Sequence, residues 1–165
     1  MTGPASTPPP LWSAGLTGLE QLRTLIASGR RPPMAETLNF NLVEVESGRA
    51  VFEGVPGLAT YNPIGMVHGG YAATLLDSAC GCAAHTRLSA TQGYTTLELK
   101  VAYHRPITTD TGKVRAEGQV LSFGRRAAFA EARLTDMNGK LYASATSTLL
   151  VFERADAAAA AVASR

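Results

Sequence analysis

Apolar positions fall into a few runs of contrasting period. Leu19, Leu22, Leu25 and Ile26 recur at helical spacing between residues 16 and 28 and stop at Gly29, which predicts a helix packed on the domain's edge. A short helical turn over 34–38 follows Pro32-Pro33. Leu42, Val43 and Val45 read as a strand, Ser47-Gly48 as a turn, and residues 50–55 as the hairpin partner. Residues 56–67 form a loop punctuated by Gly and Pro. The run from Gly70 to Thr86 is different in kind. It is small or apolar on every side, which predicts a buried helix, and Asp77 is its one formally charged residue unless His85 is protonated.

Four strand-like stretches come next. Over 94–104, Thr96, Glu98, Lys100 and Ala102 alternate with Leu97, Leu99, Val101 and Tyr103, so Thr96 is expected on the face opposite core-directed leucines. Over 113–123, Val114, Ala116, Gly118 and Val120 oppose Arg115, Glu117 and Gln119. The stretches 126–135 and 140–152 are joined by Asp136-Met137-Asn138-Gly139, whose Asn-Gly pair is a strong hairpin signal. The order is helix, two strands, one long apolar helix, four strands. It predicts an α+β domain in which one antiparallel sheet wraps one central helix, with an extra N-terminal helix. Residues 1–30 are expected to be an extension, disordered as far as Pro10, residues 31–152 the domain, and residues 153–165 an alanine-rich tail, frayed or disordered.

With 165 residues the chain suits one domain with a sizeable core, and a formal charge of +2 implies no nucleic-acid footprint. No segment has the length and apolarity of a membrane span. The N-terminus has neither the basic nor the apolar region of a secretory signal. Cys80 and Cys82 stand two apart on the expected helix and point away from each other. They read as small packed residues, which fits a reducing compartment and a cytoplasmic protein.

Asp77 is the leading chemical candidate. Burial of a carboxylate without a partner is costly and favours its neutral form, and such groups cluster at functional sites. An ion pair with an Arg from a distant strand is the structural alternative. The pair Gly69-Gly70 lies at the expected start of the helix. There, unpaired backbone N–H groups and the helix dipole favour a developing oxyanion, and missing side chains allow a ligand oxygen to approach. The same glycines also suit a tight loop-to-helix turn. Asp77 lies eight residues beyond Gly69, about 12 Å along one helix. One reacting carbon cannot touch both. If both act in one reaction they come from two subunits, with two helices antiparallel across a two-fold axis.

The string Asn62-Pro63-Ile64-Gly65-Met66-Val67-His68-Gly69-Gly70, followed by Thr74-Leu75-Leu76-Asp77, resembles the signature of hot-dog-fold acyl-CoA thioesterases of the phenylacetate-degradation (PaaI-like) type. The resemblance covers about residues 38–152. It implies a homodimer with shared sites, as a dimer of dimers, acting on an aryl- or medium-chain fatty acyl-CoA. No cofactor is implied, since coenzyme A is part of the substrate. It also implies that Asn62 and the Gly69 backbone polarise the thioester carbonyl, and that Asp77 serves as general base or nucleophile. Thr96 would position the water, and His68 would hold the loop or polarise. Against these roles stand the plainer ones of a turn residue before Pro63 for Asn62 and a β-branched strand residue for Thr96.

Gly124, Arg125 and Arg126 form the best local basic cluster for the coenzyme phosphates, with Lys100, Arg105 and Lys113 weaker. By position, Ile64, Met66 and Tyr71 are the expected acyl contacts, with the Gly70 backbone beside them. His68, His85 and His104 lack a metal-ligand spacing, and no Gly-x-Ser-x-Gly elbow, phosphate loop or dinucleotide fingerprint occurs. Two other readings remain. The first is an acyl hydratase or dehydratase on the same fold, disfavoured by the nine-residue step from His68 to Asp77. The second is a non-catalytic acyl-CoA-binding module, disfavoured by the presence of both Asp77 and Asn62.

Overall fold

The computed structural model describes residues 15–154. The expected disorder before Pro10 and the fate of the alanine-rich tail lie outside the described residues. The chain forms α1 (Gly18–Ser28), α2 (Pro33–Thr37), β1 (Phe40–Glu46), β2 (Arg49–Gly54), α3 (Gly69–His85), β3 (Gln92–Tyr103), β4 (Val114–Phe123), β5 (Ala127–Asp136) and β6 (Leu141–Glu153). All six strands pair antiparallel in one sheet of order β1-β2-β4-β5-β6-β3. The sheet curls around α3, and β1 and β3 are its two edges.

Local chemistry sets the ends of these elements. Thr17 caps α1 in a reciprocal box with Glu20, and Gly29 closes it in the left-handed conformation. At the β5–β6 turn, Asp136 Oδ1 accepts the N–H groups of Asn138 and Lys140 while Gly139 takes a positive φ, as the Asn-Gly signal predicts.

The core lies between α3 and the concave face of the sheet. Tyr71, Ala72, Leu75, Leu76, Ala79, Cys80, Ala83 and Ala84 of α3 meet Val114, Ala116, Ala128, Ala130, Ala132, Leu134 and Leu149 of the strands. Small side chains let the sheet close in. A Cβ at Gly118 would collide with the Ala79 carbonyl, so β4 and α3 touch backbone to backbone. Each fully buried leucine contributes about 1.5–3 kcal/mol relative to exposure. The opposite face of β1, β2 and β4 carries an ion-pair net in which Arg49 meets Glu44 and Glu117, and Arg115 meets Glu44 and Glu53. The hydrogen bond from Arg115, with Arg49 beside it, holds the Glu44 carboxyl below its usual range, and Arg49 does the same for Glu117.

Two expectations change. First, α3 is not buried all round. Ala73, Thr74, Asp77 and Ser78 form a half-buried stripe, because the sheet covers the other faces and leaves this one open. Second, strict alternation fails in β3. A bulge interrupts pairing with β6 between Thr96 and Glu98, and Leu97 at the bulge is 62% exposed rather than core-directed. The inserted residue switches the phase. Tyr94 and Thr96 before it, and Leu99 and Val101 after it, therefore all face the helix.

Candidate active site

The loop before α3 is built around Asn62. Its Oδ1 accepts the backbone N–H groups of Ile64 (3.2 Å) and Met66 (3.1 Å), and its own N–H donates to the Met66 carbonyl. Two donors on Oδ1 fix the orientation of the amide. The Nδ2 hydrogens are left without a partner among the described residues. Ile64, at the tip of this turn, is 76% exposed, while Val67 is buried and Met66 half-buried.

His68 is the N-cap of α3, and its Nδ1 accepts the Gly70 N–H at 2.8 Å. An accepting Nδ1 leaves the ring proton on Nε2 in the neutral form. The Gly70 N–H expected to face a ligand is thus already spent, and a Cβ at Gly70 would sit 2.9 Å from His68 Nδ1. The Gly69 N–H donates to nothing among the described residues. It is the free donor at this helix end, where the dipole favours negative charge. Gly69 is small for a further reason, since a Cβ there would lie 3.0 Å from the ring of Tyr103. The Tyr103 hydroxyl donates to the Gly69 carbonyl at 3.0 Å and pins the first turn.

Asp77 stands mid-helix on the open stripe. Thr96 Oγ1 donates to Asp77 Oδ1 at 3.1 Å, so the alternative of an Arg partner is not the arrangement observed. Tyr94, two residues earlier on the same side of β3, lies over Gly81, one helical turn beyond Asp77. A Cβ at Gly81 would meet the Tyr94 hydroxyl at 2.6 Å. Burial first, then the nearby Cys82 and Asp77, push the Tyr94 phenol well above its usual range, so it stays a hydrogen-bond donor. Cys80 and Cys82 are free, and burial pushes both thiols up to about 12.

A cavity of about 450 Å³ opens beside the N-terminus of α3. Met66, His68, Gly69 and Tyr103 line it with His104 and Arg105 of the segment after β3. Met66 is therefore on the wall of this cavity. Tyr71 is not, because it is 3% exposed and its hydroxyl points at Gly54 inside the core, on the side of α3 that the sheet covers. Ile64 lines none of this cavity. Gly124, Arg125 and Arg126 are exposed on the β4–β5 turn, beside Phe123, over whose ring lies Arg87 from just beyond the C-terminus of α3. They therefore sit at the opposite end of α3 from Gly69 of their own chain. Arg105 lines the same cavity as Gly69. Sequence reasoning did not single out Tyr94 or Tyr103, because their partners on α3 are distant in the chain and no local motif marks them.

A single helix wrapped by a six-stranded antiparallel sheet, with its N-terminus and a mid-helix carboxylate left open, defines the hot-dog class of proteins. Residues 64–143 match the family model of the Thioesterase superfamily. The chain is 30% identical over 129 residues to the proofreading thioesterase EntH of Klebsiella pneumoniae subsp. pneumoniae, covering 78% of this chain and 89% of that one. It superposes on a thioesterase family protein from Silicibacter pomeroyi with a TM-score of 0.70 at 27% identity, over 78% of this chain and 95% of that one. For a mutant of the phenylacetic acid degradation protein PaaI from Thermus thermophilus, the TM-score is 0.66 at 28% identity, over 72% and 98%. The chain belongs to the thioesterase superfamily.

Proposed function

We propose that the protein hydrolyses the thioester of an aryl- or medium-chain fatty acyl-CoA to the free acid and coenzyme A, in sites shared between two subunits. The observation that carries this reading is the Thr96–Asp77 hydrogen bond, which holds a half-buried carboxylate on the open stripe of α3.

In this reading the thioester carbonyl oxygen accepts the free Gly69 N–H of one subunit, with Asn62 Nδ2 as the second donor. His68 acts by capping α3, which holds the turn and leaves Gly69 as the helix-end donor. Asp77 of the other subunit works on the carbonyl carbon. As general base it takes a proton from water while the hydroxyl adds to that carbon. The C–S bond then breaks and the coenzyme leaves as the thiol after protonation. As nucleophile it forms an acyl anhydride with loss of the thiol, and water then opens the anhydride. Thr96 holds the carboxylate in place on either route. The pantetheine arm and nucleotide approach through the cavity bordered by Met66 and Arg105, and Gly124, Arg125 and Arg126 reach the phosphates only across the subunit interface. The half-buried stripe of α3 and the free edge of β3 are the surfaces that would meet the second subunit. Coenzyme A is substrate here, and the chemistry calls for no further cofactor.

The test is a thiol-release assay over a panel of aryl- and fatty acyl-CoAs, run on wild type and Asp77→Asn in parallel. Release by wild type and its loss in the variant is the expected result. Equal release from both overturns the role of Asp77, and no release from any thioester overturns the activity.

A further inference from the structure

A second cavity, of about 310 Å³, lies beneath α1 at the other end of the central helix. Its walls come from Leu22 and Leu25 of α1, Phe52 of β2, Cys82 and His85 of α3, and Tyr94 of β3. Docking of α1 makes the cavity a fixed feature. Gly18 donates its N–H to the Leu88 carbonyl at 3.0 Å, and a Cβ at Gly18 would collide with the His85 carbonyl. Gln21 is 4% exposed. Its Oε1 meets His85 Nε2 at 2.9 Å, and its Nε2 donates to the Leu16 carbonyl at 2.8 Å. This pair ties α1 to the last turn of α3 and roofs the cavity.

The cavity shares its near wall with the site of Asp77. Tyr94, which lines it, lies on the same side of β3 as Thr96, the partner of Asp77, and covers Gly81 one turn past Asp77. Along α3, Cys82 is about 7.5 Å and His85 about 12 Å beyond Asp77. We propose that this cavity receives the distal part of the substrate's acyl group, so that α1, an element outside the sequence signature, sets the acyl length. The inference rests on the thioesterase reading. An acetyl group with its carbonyl at Asp77 ends short of Cys82, whereas a medium-length chain reaches past it and buries its end between Leu22, Leu25 and Phe52. A volume of this size falls within the range of ligand pockets and exceeds the roughly 150 Å³ that holds a benzene ring.

The test uses non-hydrolysable thioethers of coenzyme A, so that it does not depend on turnover. S-butyl-, S-octyl- and S-dodecyl-CoA are titrated calorimetrically into the full-length wild type, Cys82→Phe and Cys82→Ala. Wild type should bind the octyl compound at least about tenfold more tightly than the butyl compound, since each buried methylene adds affinity. Cys82→Phe fills the cavity and should abolish that preference, while Cys82→Ala removes one atom from its wall and should keep the preference. If Cys82→Phe does not fold, a wild type without the octyl preference still overturns the proposal. An unchanged preference in folded Cys82→Phe overturns it as well. Thiol release from acyl-CoAs is measured on the same samples. Hydrolysis without any length dependence overturns the cavity's role and leaves the thioesterase reading standing. A length preference that follows Cys82, with no hydrolysis, does the reverse.

Discussion

Thr96 Oγ1 donates a hydrogen bond of 3.1 Å to Asp77 Oδ1 from a strand on which plain alternation would put Thr96 on the opposite side from Leu99 and Val101. The bulge at Leu97 reconciles the two by adding one residue between them. A hydrogen bond to a charged group contributes about 1.5–3 kcal/mol. Thr96→Val, which keeps the shape and removes the hydroxyl, should therefore lower kcat about 10- to 100-fold with little change in KM. Steady-state kinetics on a folded variant check this, and a wild-type kcat would leave Thr96 as a strand residue only.

Asp77→Asn should reduce kcat by about 10²–10⁴-fold, the usual contribution of a positioned acid–base group, with the melting temperature preserved. Single turnover in H₂¹⁸O, followed by mass spectrometry of the peptide containing Asp77, tests the nucleophilic route. Label in the carboxylate is the outcome for nucleophilic attack with water opening the anhydride at the Asp77 carbonyl, whereas general-base catalysis, or opening at the acyl carbon, puts the label in the released acid alone.

Shared sites predict complementation. Asn62→Ala and Asp77→Asn each disable a different half of the site. Unfolding and refolding an equal mixture should return about a quarter of wild-type activity, because half of the dimers are mixed and each then carries one intact site. Sites contained within one subunit would give no recovery.

His68→Ala removes the cap on the Gly70 N–H and should cost about 0.5–2 kcal/mol of stability, read by denaturant titration. Its loss also leaves the first turn of α3 less fixed, so the same variant should show a reduced kcat.

Burial pushes His85 down to about 4, from an ordinary value of about 6.5. The sign follows from proton counting. Between these two pH values the unfolded chain holds the proton and the folded chain does not. Stability is therefore full above about pH 6.5 and falls as pH drops toward 4, by at most about 1.4 kcal/mol per pH unit from this group. The carboxylates of Glu44 and Glu117, held down by arginine, add a loss at lower pH. Comparison of denaturation at pH 7 and pH 5 in wild type and His85→Gln isolates the histidine, and the variant should have the flatter profile.

The order of elements is legible along the chain, because each carries its own local signal. These signals include the helical spacing of Leu19, Leu22 and Leu25 closed by Gly29, the alternation of Val114, Ala116 and Gly118 against Arg115 and Glu117, and the Asn138-Gly139 turn. The sequence also marked Asn62, His68, Gly69 and Asp77, whose spacing along one loop and one helix is fixed by the chain. How these residues are arranged follows from the tertiary packing. The Gly70 N–H is taken by His68 and the Gly69 N–H is not, a matter of where one imidazole points. Tyr71 turns into the core because the sheet covers its side of α3, and Arg105 rather than Arg125 or Arg126 shares a cavity with Gly69 because the β4–β5 turn lies at the far end of that helix. Contacts such as Thr96 with Asp77, Tyr103 with Gly69 and Gln21 with His85 join residues 19, 34 and 64 positions apart. No local propensity encodes such pairs, which exist only once the sheet has closed around the helix.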